Sequence, residues 1–112
     1  MTPPRLNRAL VLEAQEITPD GMGGGTKSWI PQGRLWAQII TGTGRQEAGE
    51  FTQRDLVGYR ITVRAAPDGA PSRPCAGQRF RAGARIFDTL AVAERDADAR
   101  YLVCFAQERG VR

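Results

Sequence analysis

The chain has 112 residues, with 16 basic and 12 acidic side chains and a net charge of +4. Its hydrophobic content of 41% and charged content of 25% are ordinary for a globular domain, which excludes general disorder. No apolar run approaches the roughly 20 residues of a membrane-spanning helix, and the first residues lack a signal-peptide core, so we expect a single cytosolic domain with no membrane partner.

The residues that usually carry out catalysis are few. Histidine is absent, which excludes Ser-His and Cys-His nucleophile pairs and most zinc sites. Asp96 and Asp98 lack the further oxygen ligands of a calcium loop, and the glycine run at 23–25 lacks the Lys-Ser/Thr of a phosphate-binding loop. We expect Cys75 and Cys104 to be free thiols. The sequence therefore predicts a protein that is not an enzyme, with no catalytic residue, no metal and no cofactor.

The positive charge is confined to the second half of the chain. Residues 1–56 carry six charges of each sign, whereas residues 57–112 carry ten arginines against six acids. Fifteen of the sixteen basic residues are arginine, whose planar fork donates two hydrogen bonds at once to phosphate. Biased coding composition would give the same excess, since alanine and glycine are abundant too. Both interpretations stay open.

The first half of the chain predicts two or three strands around a glycine-rich turn. Residues 7–16 alternate with a period of two, and the turn from Pro19 to residue 25 follows them. An extended pattern resumes at Trp29, is interrupted by Pro31, and continues as a strand over 34–41. That strand has apolar residues on both faces, which indicates either burial on both sides or one face kept for a partner.

The second half shows the clearest alternation. Over 57–66, Val57, Tyr59, Ile61, Val63 and Ala65 lie on one side of a predicted strand. A proline-rich connector, which we expect to be extended, leads to strands over 78–83, 84–94 and 101–108, and the 84–94 segment alternates throughout. About six short strands joined by Gly/Pro turns predict an all-β fold, a small antiparallel β-barrel formed by one domain over 1–112.

Residues 41–56 read TGTGRQEAGEFTQRDL, far more than the two to five residues that reverse a hairpin. Loops of this length in compact domains are usually functional or disordered. Only a short helix fits this stretch, and Gly49 opposes it. We therefore predict a long loop inserted into the barrel.

The two tryptophans of the chain lie on either side of Pro31. Core packing is the ordinary interpretation of Trp29 and Trp36. The other interpretation is an anchor at an interface, because tryptophan is enriched at binding hot spots.

The order of these features resembles the phage head–tail joining family, also called head-closure or stopper proteins, which occur in tailed phages, prophages and gene transfer agents. The resemblance rests on LNRAL, PDGMGGGTKSW, LWAQI, the GTGRQE loop, YRITVR and the closing GARIFDTLAVAERDADARYLVCFAQE, and covers roughly residues 5–108. The connector PDGAPSRPC is longer and richer in proline than the family pattern, and RAAPD stands where an aromatic residue often follows the ITV strand.

This resemblance implies a structural role in the neck of a virion or phage-like particle, assembled in the bacterial cytoplasm. Relatives are small β-barrels that form a ring below the portal and its adaptor, close the DNA channel and provide the docking surface for the tail. The implied partners are a homo-oligomeric ring of six or twelve copies, a portal or adaptor ring above, a tail terminator or tail tube below, and packaged double-stranded DNA in the lumen.

In relatives a long loop projects toward the channel, so we predict that residues 42–55 form a lumenal gate; a solvent loop or an intersubunit arm is the alternative. The predicted gate residues are Gly42, Gly44, Arg45, Gln46, Glu47, Glu50, Gln53 and Arg54. The predicted intersubunit or neck interface comprises Trp29, Trp36, Arg60 and Arg64. We expect residues 1–5 to be a flexible N-terminus.

Two other functions fit a small β-barrel. A stand-alone nucleic-acid-binding barrel of the oligonucleotide-binding type needs aromatic side chains on an exposed sheet face for base stacking. Most aromatic residues here alternate with polar ones and are expected to point inward. The other alternative is a different neck component, such as a tail terminator, which shares size and ring assembly.

Overall fold

A computed structural model describes residues 3–42 and 58–109, and in this part of the chain all regular structure is β-strand. The six strands are β1 (Arg8–Pro19), β2 (Gly25–Thr41), β3 (Gly58–Arg64), β4 (Arg79–Ala82), β5 (Arg85–Glu94) and β6 (Tyr101–Glu108). Every paired strand is antiparallel. The predicted all-β antiparallel fold is confirmed.

The sheet closes on itself. Its strand order is β1-β2-β3-β6-β5-β4, and β4 pairs back onto β1 through the contacts of Leu12 with Phe80 and Glu13 with Arg79. Within the barrel, closure pairs each strand with a neighbour on both sides, which protects these parts of the sheet from edge-to-edge association. The fold is therefore a small closed barrel, as predicted.

Side chains that point inward from alternate positions of the strands fill the interior of the barrel. On β3 the side chains of Ile61 and Val63 point inward and are buried, as the period-two pattern predicted. Leu102, Cys104 and Ala106 do the same on β6. The remaining buried apolar residues come from β1, β2, β4 and β5: Leu10, Leu12, Ala37, Phe80 and Phe87. This core holds the outward-facing side chains at fixed positions.

Pro31 does not interrupt β2, contrary to the prediction. The register with β1 shifts so that Leu12 pairs with Gly33 and Glu13 pairs with Pro31, which leaves Gln32 as an extra residue in a β-bulge. Gly33 adopts a φ of 145°, which side chains rarely tolerate. Because a bulge is one of the few places where a sheet accepts proline, the strand continues through this position.

A second bulge breaks the alternation predicted for 84–94. Phe87 and Thr89 point inward, but the register with β6 shifts between Thr89 and Ala91. Leu90 is exposed, as alternation with Thr89 requires, whereas Val92, which the pattern places on the same face as Leu90, packs against the core. The predicted alternation is therefore wrong after Leu90.

The β1–β2 hairpin extends beyond the barrel. Residues 15–27, here called the hairpin arm, are exposed along their whole length. At its tip the Asp20 carboxylate accepts hydrogen bonds from the backbone N–H of Met22, at 2.8 Å, and of Gly24, at 3.1 Å. Gly21 and Gly23 have positive φ angles, which the turn requires. The glycine-rich turn is therefore where the sequence predicted it.

The connector between β3 and β4 folds into successive turns rather than an extended segment. The N–H of Ala70 bonds the carbonyl of Pro67, and Arg73 reaches back to the carbonyl of Ala66 at 2.8 Å. Gly69 and Gly77 supply the positive φ angles that such turns need. The prediction of an extended connector is wrong, because these local hydrogen bonds outweigh the preference of proline for extended backbone.

Candidate interface on the outer face of the barrel

Most of the predicted gate residues lie outside the described residues. These are Gly44, Arg45, Gln46, Glu47, Glu50, Gln53 and Arg54. Gly42 is described: its N–H donates to the carbonyl of Gly58 at 2.7 Å. This bond joins the end of β2 to the start of β3, so the chain leaves and re-enters the barrel at one place.

Three of the four predicted interface residues share one side of the barrel. In β2, Trp36 alternates with the inward-facing Ala37, and in β3, Arg60 and Arg64 alternate with the buried Ile61 and Val63. We call the outward side of β2, β3 and β6 the outer face; its principal residues are Arg34, Trp36, Ile40, Arg60, Arg64 and Phe105. Strand pairing places Ile40 beside Arg60, and Arg60 beside Phe105.

The outer face exposes large apolar side chains. Trp36 is 56% exposed, Ile40 46% and Phe105 41%. Trp36 lines a groove of about 600 Å³ with Arg34 and Arg64. Ile40, Arg60 and Phe105 line a second groove of about 440 Å³. Aromatic and arginine side chains around shallow grooves are typical of protein–protein hot spots.

The arginines of the outer face have no acidic partner among residues 3–42 and 58–109. Six arginines elsewhere in this part of the chain do form ion pairs: Arg73 with Asp68, Arg79 and Arg81 with Glu13, Arg85 with Glu108, Arg95 with Asp96, and Arg109 with Asp88. Arg64 lies over the Tyr101 ring at 5.6 Å. The outer face therefore carries positive charge available for a partner.

Trp29 lies apart from the other three, at the base of the hairpin arm. The guanidinium of Arg79 stacks over its ring at 4.2 Å, and the same Arg79 donates to Glu13 at 2.7 Å. Arg81 donates to the second oxygen of Glu13 at 2.8 Å. Burial alone would raise the pKa of Glu13, but the two arginine hydrogen bonds outweigh it and leave the pKa below its ordinary value.

Neither tryptophan belongs to the core, so the interpretation of both as core residues is wrong. Trp36 is exposed, and Trp29 is half-buried beneath Arg79. The physical reason is parity: the bulge at Gln32 and the alternation of β2 turn both rings outward, while Leu35, Ala37 and Ile39 fill the interior.

A second polar cluster lies near the place where the chain leaves the barrel. Arg85 donates to both oxygens of Glu108, at 2.8 and 3.0 Å, and to the hydroxyl of Tyr59 at 3.4 Å. The Arg85 hydrogen bond lowers the pKa of Glu108 below its ordinary value. Burial and the neighbouring Glu108 raise the pKa of Tyr59. The cluster joins β3, β5 and β6.

The described residues offer little for chemistry. They contain no group of three or more potential metal ligands, and no helix among them has the length and apolar character to cross a bilayer. Both cysteines are free thiols; Cys75 is exposed and Cys104 is buried, and burial raises the pKa of Cys104 to about 12. A thiol with this pKa stays protonated at neutral pH and is a poor nucleophile.

Three exposed apolar residues were not predicted from the sequence as part of an interface. Phe105 belongs to the outer face, and the apolar residues on both sides of the 101–108 strand were the available signal. Ile17 and Met22 are exposed on the hairpin arm, at 58% and 86%. No sequence signal marked them, because an isolated isoleucine or methionine near a turn is compatible with burial under a loop.

The comparisons with known proteins agree with this architecture. Residues 1–109 match the family described as phage head completion protein. A chain from the structure entitled "Virion of native gene transfer agent (GTA) particle" is 51% identical, with a TM-score of 0.78, over 98% of this chain and 100% of that chain.

A second solved structure shares the fold. The solution structure of protein SF1141 from Shigella flexneri 2a has a TM-score of 0.72 at 19% identity, over the full length of both chains. No curated protein matches the sequence. Since the family match spans nearly the whole chain, this protein belongs to the phage head completion protein family.

Proposed function

We propose that the chain is a structural head–tail connector of the stopper type, which forms a ring below the portal or adaptor, closes the DNA channel and receives the tail. The observation that carries the proposal is its 51% identity to a chain of a gene transfer agent virion over essentially the full length of both. The family's head-completion role supports a structural rather than an enzymatic function.

The outer-face arginines, which have no acidic partner within 3–42 and 58–109, suit such a conduit. Each copy carries a net charge of only +4. A ring multiplies this small excess into a positive annulus without making any single copy a strong DNA binder. Weak binding is what a channel needs, since DNA must slide through it.

We assign the neck interface to the outer face, with Trp36, Arg60 and Arg64 as principal contacts. Exposed tryptophan and unpaired arginine are the side chains that most often dominate protein–protein binding. Trp29 contributes indirectly, because its ring is covered by Arg79 and supports the base of the hairpin arm. The hypothesis that residues 42–55 form a lumenal gate stays a prediction from the sequence.

The test is a complementation series in particles. Heads assembled without the chain are expected to lose packaged DNA and to lack tails, and the full-length chain restores both, as measured by nuclease protection and electron microscopy. A chain lacking residues 43–53 is expected to join tails but to leak DNA before they attach. A matched variant with 43–53 replaced by a Gly/Ser linker of equal length separates loop length from loop sequence.

Two outcomes contradict the proposal. If heads without the chain keep their DNA and acquire tails normally, the chain is not a stopper. If the 43–53 deletion retains DNA before tail attachment, the lumenal gate is elsewhere. Tight, salt-sensitive binding of single-stranded DNA by the isolated chain would instead favour the stand-alone nucleic-acid-binding barrel.

A further inference from the structure

The hairpin arm exposes apolar residues that the fold itself does not use. Met22 is 86% exposed at the tip and Ile17 is 58% exposed on β1. The strand ladder holds them in place, because Ile17 pairs with Lys27 and Thr18 pairs with Thr26. A projecting two-stranded ribbon with exposed apolar side chains is marginal on its own and gains stability by packing against another surface.

The charge of the arm is opposite to that of the outer face. Between residues 15 and 27 the charged side chains are Glu16, Asp20 and Lys27, a net charge of −1. The outer face carries Arg34, Arg60 and Arg64 without acidic partners in the described part of the chain. Glu94 lies at the edge of one groove, but one acidic side chain against these three arginines leaves that face net positive. The two surfaces are thus complementary in charge, and both are partly apolar.

One copy cannot join its own two surfaces. Both lie on β2: Lys27, the partner of Ile17, is near one end of the strand and Ile40 is near the other. The 13 residues between them correspond to roughly 40 Å of extended chain at about 3.3 Å per residue. The extended backbone of β2 keeps these two ends apart. Contact between the surfaces therefore requires a second copy.

We propose that the hairpin arm of one copy docks on the outer face of its neighbour. Ile17 and Met22 would supply the apolar contact, with Ile40 and Phe105 as the receiving side chains, and Glu16 would pair with an arginine of that face. Such a contact is heterologous, joining two different patches, and repeats around an axis to give a ring when the rotation between copies closes. The inference deepens the proposed function and rests on the ring assembly it includes.

Cysteine cross-linking in assembled particles tests the contact. In a Cys75→Ser background, Met22→Cys and Phe105→Cys are introduced singly and together, and particles are treated with a short bismaleimide. The double variant is expected to give a ladder of covalent multimers beyond the dimer, because every copy offers both reactive positions. Each single variant gives at most dimers. Unchanged thermal unfolding of each variant shows that the fold is retained.

Charge reversal provides a second measurement. Glu16→Arg is expected to lower the number of copies incorporated per particle about tenfold, and Arg60→Glu in the same chain to recover part of the loss. Asp98→Arg, an exposed reversal outside both surfaces, serves as the matched control and leaves incorporation unchanged.

The outcomes separate this inference from the proposed function. If the chain is present in the neck and the double variant forms no ladder, or if Met22→Cys cross-links only to a different particle protein, the arm does not dock on a neighbouring copy, although the connector role stands. If the chain is absent from the neck, the proposed function and this contact fail together.

Discussion

Among individual residues, Arg85 and Glu108 form an ion pair that joins β5 to β6. Arg85 donates to both carboxylate oxygens, and the Glu108 side chain is largely withdrawn from solvent while that of Arg85 is part-exposed. Hydrogen bonds to charged groups contribute more than neutral ones, and partial exposure of the arginine weakens them. Glu108→Gln is therefore expected to lower the free energy of unfolding by about 1–2 kcal/mol at pH 7.

The lowered pKa of Glu108 also predicts that the free energy of unfolding depends on pH. Arg85 lowers the pKa of Glu108 in the folded chain below the ordinary value of 4.5, so the folded state binds fewer protons than the unfolded state. The stabilisation is complete above the ordinary pKa and is lost as the pH falls through the lowered one. The difference in melting temperature between wild type and Glu108→Gln should decrease as the pH falls below 4.5. Glu94→Gln is the control, and an equal loss in both variants would contradict this role.

Residue-level pairing was the part that the sequence predicted least. Period-two alternation placed Ile61 and Val63 correctly, because side-chain parity is local. It could not indicate that Glu108 meets Arg85 or that Glu13 meets two arginines. Glu13 and its arginines lie on strands far apart in sequence, and the Arg85–Glu108 contact depends on a β5–β6 register that a bulge shifts.

At the scale of the element, the hairpin arm is separable from the barrel. Residues 15–27 are exposed throughout, so removing them exposes little apolar core. Replacing residues 18–26 by Asn-Gly, which favours the tight turn of a two-residue hairpin, should leave the melting temperature within a few degrees of wild type. The same variant should fail to incorporate into particles, as measured by the copies retained after purification.

The barrel core provides the comparison for this prediction. Phe80→Ala, in the interior, is expected to cost about 3–5 kcal/mol of unfolding free energy. If the shortened arm destabilised the chain to a similar extent, the arm would be part of the folding core. If it incorporated into particles normally, the arm would have no role in assembly.

Bulges explain where element prediction failed. Pro31 was expected to interrupt a strand, and 84–94 to alternate throughout, yet both segments continue through an extra residue. A bulge changes parity at one position without changing the local β character, so periodicity alone does not reveal it. These two shifts determine that Trp29 faces outward and that Val92 packs against the core.

In the whole molecule, the proposed function requires many copies around a common axis. Docking of the hairpin arm on the outer face of a neighbour would be a heterologous contact, and such contacts close into rings when the rotation between copies is right. Fold class and family could be predicted from the sequence, because strand patterns and the order of motifs are visible in the sequence itself. Assembly depends on surfaces that the folded barrel brings together, such as Ile40 beside Arg60 and Phe105.

The proposed assembly can be seen in an electron-microscopy map of the particle neck. We predict a closed ring of this barrel between the portal or adaptor and the tail, with the hairpin arm of each copy on the Trp36, Arg60 and Phe105 side of the next. A map with no copy of the chain in the neck, or with copies that surround the axis without touching one another, would show that this ring does not form.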